Sequence, residues 1–209
     1  MRRFHWLVCG IFLVMFGVFA YLARQSFSFP GDVTVCLRLQ GLSLPFLYPL
    51  MRAISAIHSL LPAIVVVAVV SGGLWFSGRR LETTFIISLT SLATLLNWLL
   101  KLLIGRPRPG SKIQVLTENS GFSFPSGHIV YAVVFYGFLF YLAPRLIKQL
   151  SIVRLTRFVL VLLILVTAVS RVYLGAHWLS DALGSFWLGG LLLIPSVNFY
   201  NNYAGGKNA

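Results

Sequence analysis

The sequence predicts an all-α, polytopic membrane protein with six transmembrane helices and short interfacial helices between helices 1 and 2. Of the 209 residues, 58% are hydrophobic and only 10% are charged, whereas about a quarter of the residues in a soluble domain carry charge. Apolar runs near the ~20 residues that a helix needs to cross a bilayer recur along the chain. We expect residues 1–209 to form a single integral membrane domain.

The first predicted helix is an apolar run at about residues 6–23, which follows Arg2 and Arg3. The run is longer than the core of a signal peptide and no clear small-residue cleavage site follows it, so we expect it to be retained. Residues 25–59 mix charged residues with Leu, Pro and Gly. This composition favours one or two short helices lying at the membrane interface.

Five further spanning runs lie at about residues 60–77, 83–104, 127–144, 158–173 and 180–198. The connection between the first two of these runs is very short, so they must be antiparallel neighbours. Helical pattern is interrupted in the long connection before residue 127, which is rich in Pro, Gly and Ser. The sequence therefore predicts six spans.

The net charge of +13 comes from 17 Lys and Arg against four acids. A basic surplus on a membrane protein indicates anionic lipid headgroups as partners. Nucleic acid is not expected, because no basic domain interleaved with aromatic residues stands clear of the apolar runs. Cys9 and Cys36 give neither a disulfide framework nor metal-ligand spacing. No obligate protein partner is predicted.

The orientation of the chain in the membrane can be predicted from the Lys and Arg residues of its loops, because such residues concentrate on the cytoplasmic side of membrane proteins. One side of the predicted bundle carries nine of these residues, namely Arg2, Arg3, Arg79, Arg80, Arg145, Lys148, Arg154, Arg157 and Lys207. The other carries eight, namely Arg24, Arg38, Arg52, Lys101, Arg106, Arg108, Lys112 and Arg171. If Lys101, Arg108 and Arg171 are left out of the count because they bind substrate, the first side carries nine basic residues and the second side carries five. This contrast predicts cytoplasmic termini and a polar site on the extracytoplasmic side.

The segment at residues 170–181, SRVYLGAHWLSD, sets charged side chains in an apolar sequence. On a helix, His177 and Asp181 would share one face about 6 Å apart along the axis. The carboxylate could then hold one imidazole nitrogen and leave the other free. A guanidinium at Arg171 could bind a tetrahedral oxyanion beside that free nitrogen. The alternative is a buried ion pair that locks two helices together.

A second cluster, KLLIGRPRP at residues 101–109, carries Lys101 and Arg108 on the same predicted side. Taken alone, it is also consistent with a basic juxtamembrane loop. The third cluster is PSGH, which opens the fourth helix. Unpaired backbone N–H groups of Ser126, Gly127 and His128 would favour an anion there. The alternative is that Pro and Ser only start the helix, with the histidine at the wet interface.

Together, the three clusters bring cations, backbone donors, two histidines and one carboxylate to the same end of helices 3 to 6. Phosphoryl transfer needs cations for the equatorial oxygens, an in-line nucleophile and an acid for the departing oxygen. Histidine can be that nucleophile and would pass through a phosphohistidine.

Two other classes of protein fit part of this pattern. A metal-dependent hydrolase could use His177 and Asp181 as ligands, but a two-metal site needs several carboxylates and this side adds only Glu118 and Asp32. A transporter usually places ionisable residues near mid-membrane, where these helices carry none.

The three clusters resemble, in order and spacing, the signature motifs of the type 2 phosphatidic acid phosphatase superfamily, with every signature position filled. The resemblance covers nearly the whole chain. It implies a bacterial lipid phosphatase that needs no metal and no cofactor. Substrates in such a family are undecaprenyl diphosphate, phosphatidylglycerol phosphate, phosphatidic acid or diacylglycerol diphosphate. Soluble haloperoxidases of the superfamily do not match the hydropathy, and larger glucose-6-phosphatases have more spans.

The resemblance also implies residue roles. His177 would be the nucleophile, Asp181 its orienting partner and His128 the general acid. The residues implied to bind the phosphate are Lys101, Arg108, Ser126, Gly127 and Arg171. An outward-facing site makes undecaprenyl diphosphate the expected substrate, with phosphatidylglycerol phosphate or phosphatidic acid as the alternative. The motifs leave open the roles of Asn97, Arg106, Glu118 and His58. We expect His58 at the interface, where it is a candidate for lining the entrance.

Overall fold

The computed structural model describes residues 2–42, 44–110, 113–117 and 120–205. Within these ranges the chain forms eight helices and no strand. The helices are α1 (Arg2–Gln25), α2 (Asp32–Gln40), α3 (Leu47–Ile57), α4 (Leu60–Phe76), α5 (Arg80–Ile104), α6 (Gly127–Leu146), α7 (Leu150–Tyr173) and α8 (Leu179–Gly205). The all-α prediction is confirmed.

Five of the described helices, α1 and α5 to α8, are long and apolar enough to cross a membrane. The remaining predicted span is broken, because α3 and α4 meet the same test only as a pair bent by 61°. With 17 residues, α4 alone is ~26 Å long and falls short of the ~30 Å hydrocarbon core. The chain is thus a multi-pass membrane protein with five such helices among the described residues, or six spans when the bent pair of α3 and α4 is counted as one.

The bundle is built around α6, which packs against α5, α7 and α8. Its inward residues, such as Val134, Phe135 and Phe138, are fully buried. Small residues on α8 let the two helices approach closely, because a Cβ added at Gly189 would lie 2.6 Å from Val133. The central position of α6 places its first turn in the middle of one end of the bundle.

That end, which we call the site end, collects the last turns of α5 and α7 and the first turns of α6 and α8. The short helices α2 and α3 pack there against α7, and α2 also contacts α8. At the opposite end the Tyr200 hydroxyl donates to Glu82 Oε1 at 3.0 Å and fastens α8 to α5. The alternating helices therefore assemble all three polar clusters at one end.

Candidate active site

The connection between α7 and α8 holds His177 ahead of α8 rather than on it. The helix α7 ends at Tyr173, and Gly175 then turns with φ +67°. A side chain at Gly175 would collide with the backbone of Gln114. The prediction that His177 and Asp181 share one helix face is therefore wrong. The two side chains still meet, with Nδ1 of His177 3.6 Å from Oδ2 of Asp181.

The first turn of α8 orients the Asp181 carboxylate. Oδ2 accepts a hydrogen bond from the Trp178 backbone N–H at 3.0 Å, as an acid at the third helical position commonly does. Oδ1 accepts one from Arg106 Nη1 at 2.5 Å. The side chain is fully buried. The start of the helix and an arginine therefore fix the carboxylate in front of His177.

The His177 imidazole is buried, and its Nε2 lies 3.5 Å from Arg108 Nη1. Burial, followed by the positive charges of Lys101, Arg171 and Arg108, holds the pKa of His177 well below its usual value. The ring is therefore neutral at neutral pH. With Nδ1 toward Asp181 and Nε2 toward the cations, its lone pair can face an incoming phosphate. The 3.6 Å contact is longer than a hydrogen bond, and catalytic pairs commonly tighten when substrate binds.

Lys101 and Arg108 are held by backbone carbonyls. Lys101 Nζ donates to Phe122 O at 2.8 Å and to Ser123 O at 3.2 Å. Arg108 donates to Ala176 O at 2.7 Å and also to the carbonyls of residues 120 and 121. Both cations are therefore tied to the loop before α6, and Arg108 also joins it to the connection that carries the histidine.

Arg171 reaches the site from the last turn of α7 and is buried. Its Nη1 donates to the Ser55 hydroxyl on α3. Since its charge contributes to the low pKa of His177, the guanidinium lies within electrostatic reach of the imidazole. The helix α3 thus helps to aim a predicted phosphate-binding residue.

The first turn of α6 differs from the prediction at Ser126. Its N–H donates to Ser185 Oγ at 2.8 Å, so this backbone group is not available to an anion. The Ser126 hydroxyl is buried and has no hydrogen-bond partner among the described residues. A Cβ added at Gly127 would lie 3.1 Å from the Asn97 amide. Glycine therefore lets α5 approach the start of α6, and the serine hydroxyl is the group left for a ligand.

His128 lines a cavity of about 170 Å³ together with Asn97, Gly127, Tyr131 and His58. A larger cleft of about 690 Å³ between α4 and α5 shares its lining residues Leu60, Ala63, Thr94 and Tyr131. The outer rim of this cleft is formed by exposed apolar side chains, namely Ile64, Leu95 and Trp98. An apolar cleft therefore leads from His128 to the lateral surface of the bundle.

Sequence reasoning did not anticipate the contacts of two buried charges. Arg106 bridges Asp181 and Asp32, and both Arg106 and Asp32 are buried. The pairing could have been suspected from the composition, because the chain has only four acidic residues to pair with its buried cations. His58 is buried and lines the cavity that holds His128, with Nδ1 2.7 Å from Ile54 O. Glu118 lies outside the described residues.

Comparison with known proteins identifies the family. The model of the PAP2 superfamily matches residues 82–204, which contain all eight predicted site residues. The chain is 35% identical over 163 residues to phosphatidylglycerophosphatase B of Bacillus subtilis (strain 168), covering 74% of this chain and 76% of the relative. The fold and the sequence together define a membrane lipid phosphatase. The chain belongs to the PAP2 superfamily, which confirms the resemblance of the motifs and sets aside the transporter alternative.

Two solved structures share the fold. The first transmembrane PAP2 type phosphatidylglycerolphosphate phosphatase from Bacillus subtilis aligns with a TM-score of 0.77 at 26% identity, over 91% of this chain and 94% of that chain. Aquifex aeolicus LpxE aligns with a TM-score of 0.66 at 20% identity, over 80% of this chain and 94% of that chain. At 20% identity, the match to LpxE shows a shared fold.

Proposed function

We propose that this phosphatase hydrolyses undecaprenyl diphosphate to undecaprenyl phosphate and phosphate, without a metal, at the extracytoplasmic face. The observation that carries the chemistry is the position of His177, with Nδ1 toward Asp181 and Nε2 toward Arg108. A neutral imidazole between a carboxylate and several cations is suited to in-line attack on a phosphate.

In the first step, Nε2 of His177 attacks the terminal phosphorus, and the bond from phosphorus to the bridging oxygen breaks. Lys101, Arg108 and Arg171 neutralise the equatorial oxygens, and the Ser126 hydroxyl and the Gly127 backbone add hydrogen bonds. His128 gives its proton to the departing lipid phosphate. The ring becomes cationic as the nitrogen–phosphorus bond forms, and Asp181 stabilises the positive charge at Nδ1–H.

In the second step, His128 takes a proton from a water molecule that attacks the phosphohistidine. The nitrogen–phosphorus bond breaks, phosphate leaves and His177 returns to its neutral form. The same histidine thus serves as acid and then as base, so each turnover consumes one water molecule and restores the protein.

Metal independence is supported by the way the carboxylates are used. Asp181 and Asp32 are both bound by Arg106, so their oxygens already have a cationic partner. Across the described part of the chain, no group of three or more His, Cys, Asp or Glu side chains could hold a metal ion. The cations around His177 supply the positive charge that a metal would otherwise bring. We therefore expect full activity in excess chelator, and a requirement for a divalent ion would refute this part of the proposal.

The outward orientation is supported by Arg106. Because this arginine is buried in ion pairs, it joins Lys101, Arg108 and Arg171 as a residue outside the topological charge count. Eight basic residues minus these four leaves four on the site side, against nine on the other. The larger asymmetry favours cytoplasmic termini.

The substrate is supported by the cleft and by this orientation. Undecaprenyl diphosphate carries a long apolar chain, which suits a cleft between α4 and α5 that opens on the lateral surface. Its diphosphate is left on the outer face when cell-wall polymers are assembled. Phosphatidylglycerol phosphate is the second candidate, and the name of the 35% identical relative favours it.

Phosphate release by the purified protein in detergent decides between the two substrates. Undecaprenyl diphosphate, phosphatidylglycerol phosphate and phosphatidic acid are compared at equal ratios of lipid to detergent. We expect kcat/KM for the first to exceed the others by about tenfold or more, as tail and headgroup contacts together can provide. A higher kcat/KM for phosphatidylglycerol phosphate would establish the second candidate.

A further inference from the structure

Arg106 and Asp32 form a buried ionic bridge between the interfacial helix α2 and the first turn of α8. Arg106 Nη1 donates to Asp181 Oδ1 at 2.5 Å, and Nη2 donates to Asp32 Oδ2 at 3.1 Å. The guanidinium also stacks over the Phe29 ring at 4.8 Å. One planar fork therefore spans two carboxylates that are far apart in the sequence.

Asp32 also caps α8 from outside that helix. Its Oδ1 accepts from the Ser180 backbone N–H at 2.8 Å, and its Oδ2 accepts from the Ser180 hydroxyl at 2.6 Å. The Phe29 N–H donates to the same Oδ2 at 2.8 Å, which closes the turn before α2. Since the first N–H groups of a helix lack partners within it, α2 provides a cap for the helix that carries Asp181.

The charges of this cluster do not cancel. Within this group of three side chains, two ionised carboxylates face one guanidinium, so the group carries one negative charge beside Nδ1 of His177, while the cations Lys101, Arg108 and Arg171 act on the same ring. Buried ion clusters contribute little to stability compared with apolar side chains of similar size. A cluster that keeps a surplus negative charge beside the imidazole is suited instead to stabilising that ring when it becomes cationic.

The geometry also fixes which oxygen faces the histidine. Arg106 occupies Oδ1 of Asp181 and leaves Oδ2 for Trp178 N–H and His177. Without the arginine, the carboxylate could rotate about its χ2 angle, which is a broad torsion. Both terminal nitrogens of Arg106 are occupied by carboxylates, and both oxygens of Asp32 are occupied by Arg106 and Ser180. Their effect on the reaction must therefore pass through Asp181.

We propose that Arg106, anchored by Asp32, is a positioning residue that holds Asp181 against His177, so that α2 is part of the catalytic apparatus. This inference rests on the proposed roles of His177 as nucleophile and Asp181 as its partner. The interfacial helix then has a use beyond lying at the membrane surface, because its first residue supports the reacting histidine through two intermediate side chains.

Steady-state kinetics on the preferred lipid substrate test the proposal. We expect Arg106→Met to lower kcat about 100-fold while KM stays nearly constant, because a misplaced group affects the transition state more than substrate binding. Arg106→Lys recovers part of kcat, since an ammonium keeps the charge but cannot span both carboxylates. Asp32→Asn lowers kcat about tenfold, and KM again stays nearly constant. The matched control is Arg38→Met, which removes an exposed arginine from α2 and leaves both constants unchanged.

A double-mutant cycle separates positioning from a general loss of structure. If Arg106 acts through Asp181, Arg106→Met in an Asp181→Asn background lowers kcat little further. Losses that multiply would overturn the proposal. Thermal unfolding in detergent identifies variants that do not fold. If Arg106→Met unfolds because two carboxylates face each other, Asp32→Asn carries the test through its own cycle with Asp181→Asn.

Different results would overturn the catalytic role of Asp181 and the positioning role of Arg106. Full activity of Asp181→Asn would overturn the proposed role of the aspartate and the positioning role with it. A damaged Asp181→Asn alongside folded Arg106→Met and Asp32→Asn variants with unchanged kcat would overturn the positioning role alone.

Discussion

At the scale of single residues, the environment of His177 determines how the site works. A histidine with its ordinary pKa would be partly protonated near neutral pH and would lose its lone pair. Burial and the neighbouring cations lower the pKa of His177 and keep it neutral. In the proposed mechanism, the cations that bind the phosphate therefore also keep the nucleophile neutral. The same groups would raise both the affinity for the anion and the fraction of protein that is able to attack it.

Replacing His177 is expected to abolish turnover. His177→Ala should lower kcat by about 10⁴-fold or more, since no neighbouring side chain replaces an in-line imidazole. Asp181→Asn should cost less, about 10³-fold, because the nucleophile stays in place. Single-turnover assays with a ³²P-labelled substrate should trap a phosphohistidine in the parent protein and none in His177→Ala. Substantial activity in the alanine variant would exclude this histidine as the nucleophile.

The pH dependence of the free enzyme reports the same environment. In a plot of kcat/KM against pH, the acidic limb is the fall that reports protonation of His177, and it should occur well below pH 6.5. The lowered pKa of His177 keeps the ring neutral until the pH is that low. Lys101→Met removes a positive charge that disfavours the imidazolium, so the pKa rises and the limb moves to higher pH. Lys148→Met, an exposed lysine at the opposite end, is the control and leaves the limb in place. An unmoved limb in Lys101→Met would contradict the electrostatic account.

At the scale of elements, the bent pair α3 and α4 connects the membrane surface to the site. His58 lies at the bend, where it contacts the Ile54 carbonyl on α3 and, at 3.0 Å, the Tyr136 hydroxyl on α6. Beyond the bend, α4 and α5 line the apolar cleft, and Leu60 and Ala63 of α4 also line the cavity that holds His128. We therefore expect a lipid tail to enter between α4 and α5.

Filling the cleft should impair long-chain substrates selectively. Ala63 on α4 lines both the small cavity and the larger cleft, so Ala63→Phe should lower kcat/KM for a polyprenyl diphosphate by about tenfold or more. A short-chain lipid phosphate, which does not extend into the cleft, should be affected much less. Val69→Phe on the exposed face of the same helix is the matched control. Equal losses for long and short chains would show that the tail lies elsewhere.

The sequence predicted what depends on local pattern and missed what depends on distant partners. The third predicted run and α5 both end at residue 104, because hydropathy and the prolines that follow are local signals. The glycine in LGAH could have indicated that α7 ends before His177. The bend at His58 and the pairing of Arg106 with Asp32, 74 residues away, left no periodic trace in the sequence. The bend and the ion pair both form only when the helices pack against one another.

At the scale of the whole molecule, orientation decides which lipids the site can meet. Single cysteines at Val115 and Gln149, both exposed and at opposite ends of the bundle, report it in a Cys9→Ser, Cys36→Ser background. An impermeant thiol reagent on intact cells should label position 115 and not position 149. Cys36 itself is a poor target, because burial and nearby acids raise its pKa to about 12. The reverse labelling pattern would place the site in the cytoplasm and favour phosphatidylglycerol phosphate.

If the cleft between α4 and α5 admits the lipid tail as proposed, it also determines which substrate concentration the enzyme responds to. Its exposed apolar rim at Ile64, Leu95 and Trp98 would face the lipid phase, so a substrate would arrive by lateral diffusion within one leaflet. The relevant quantity is the surface mole fraction of substrate and not the amount per volume of water. Adding inert detergent at fixed bulk substrate should therefore slow the reaction, as in surface-dilution kinetics. In the proposed orientation, other lipids of the outer leaflet would dilute the substrate in a cell and slow its hydrolysis without binding to the site.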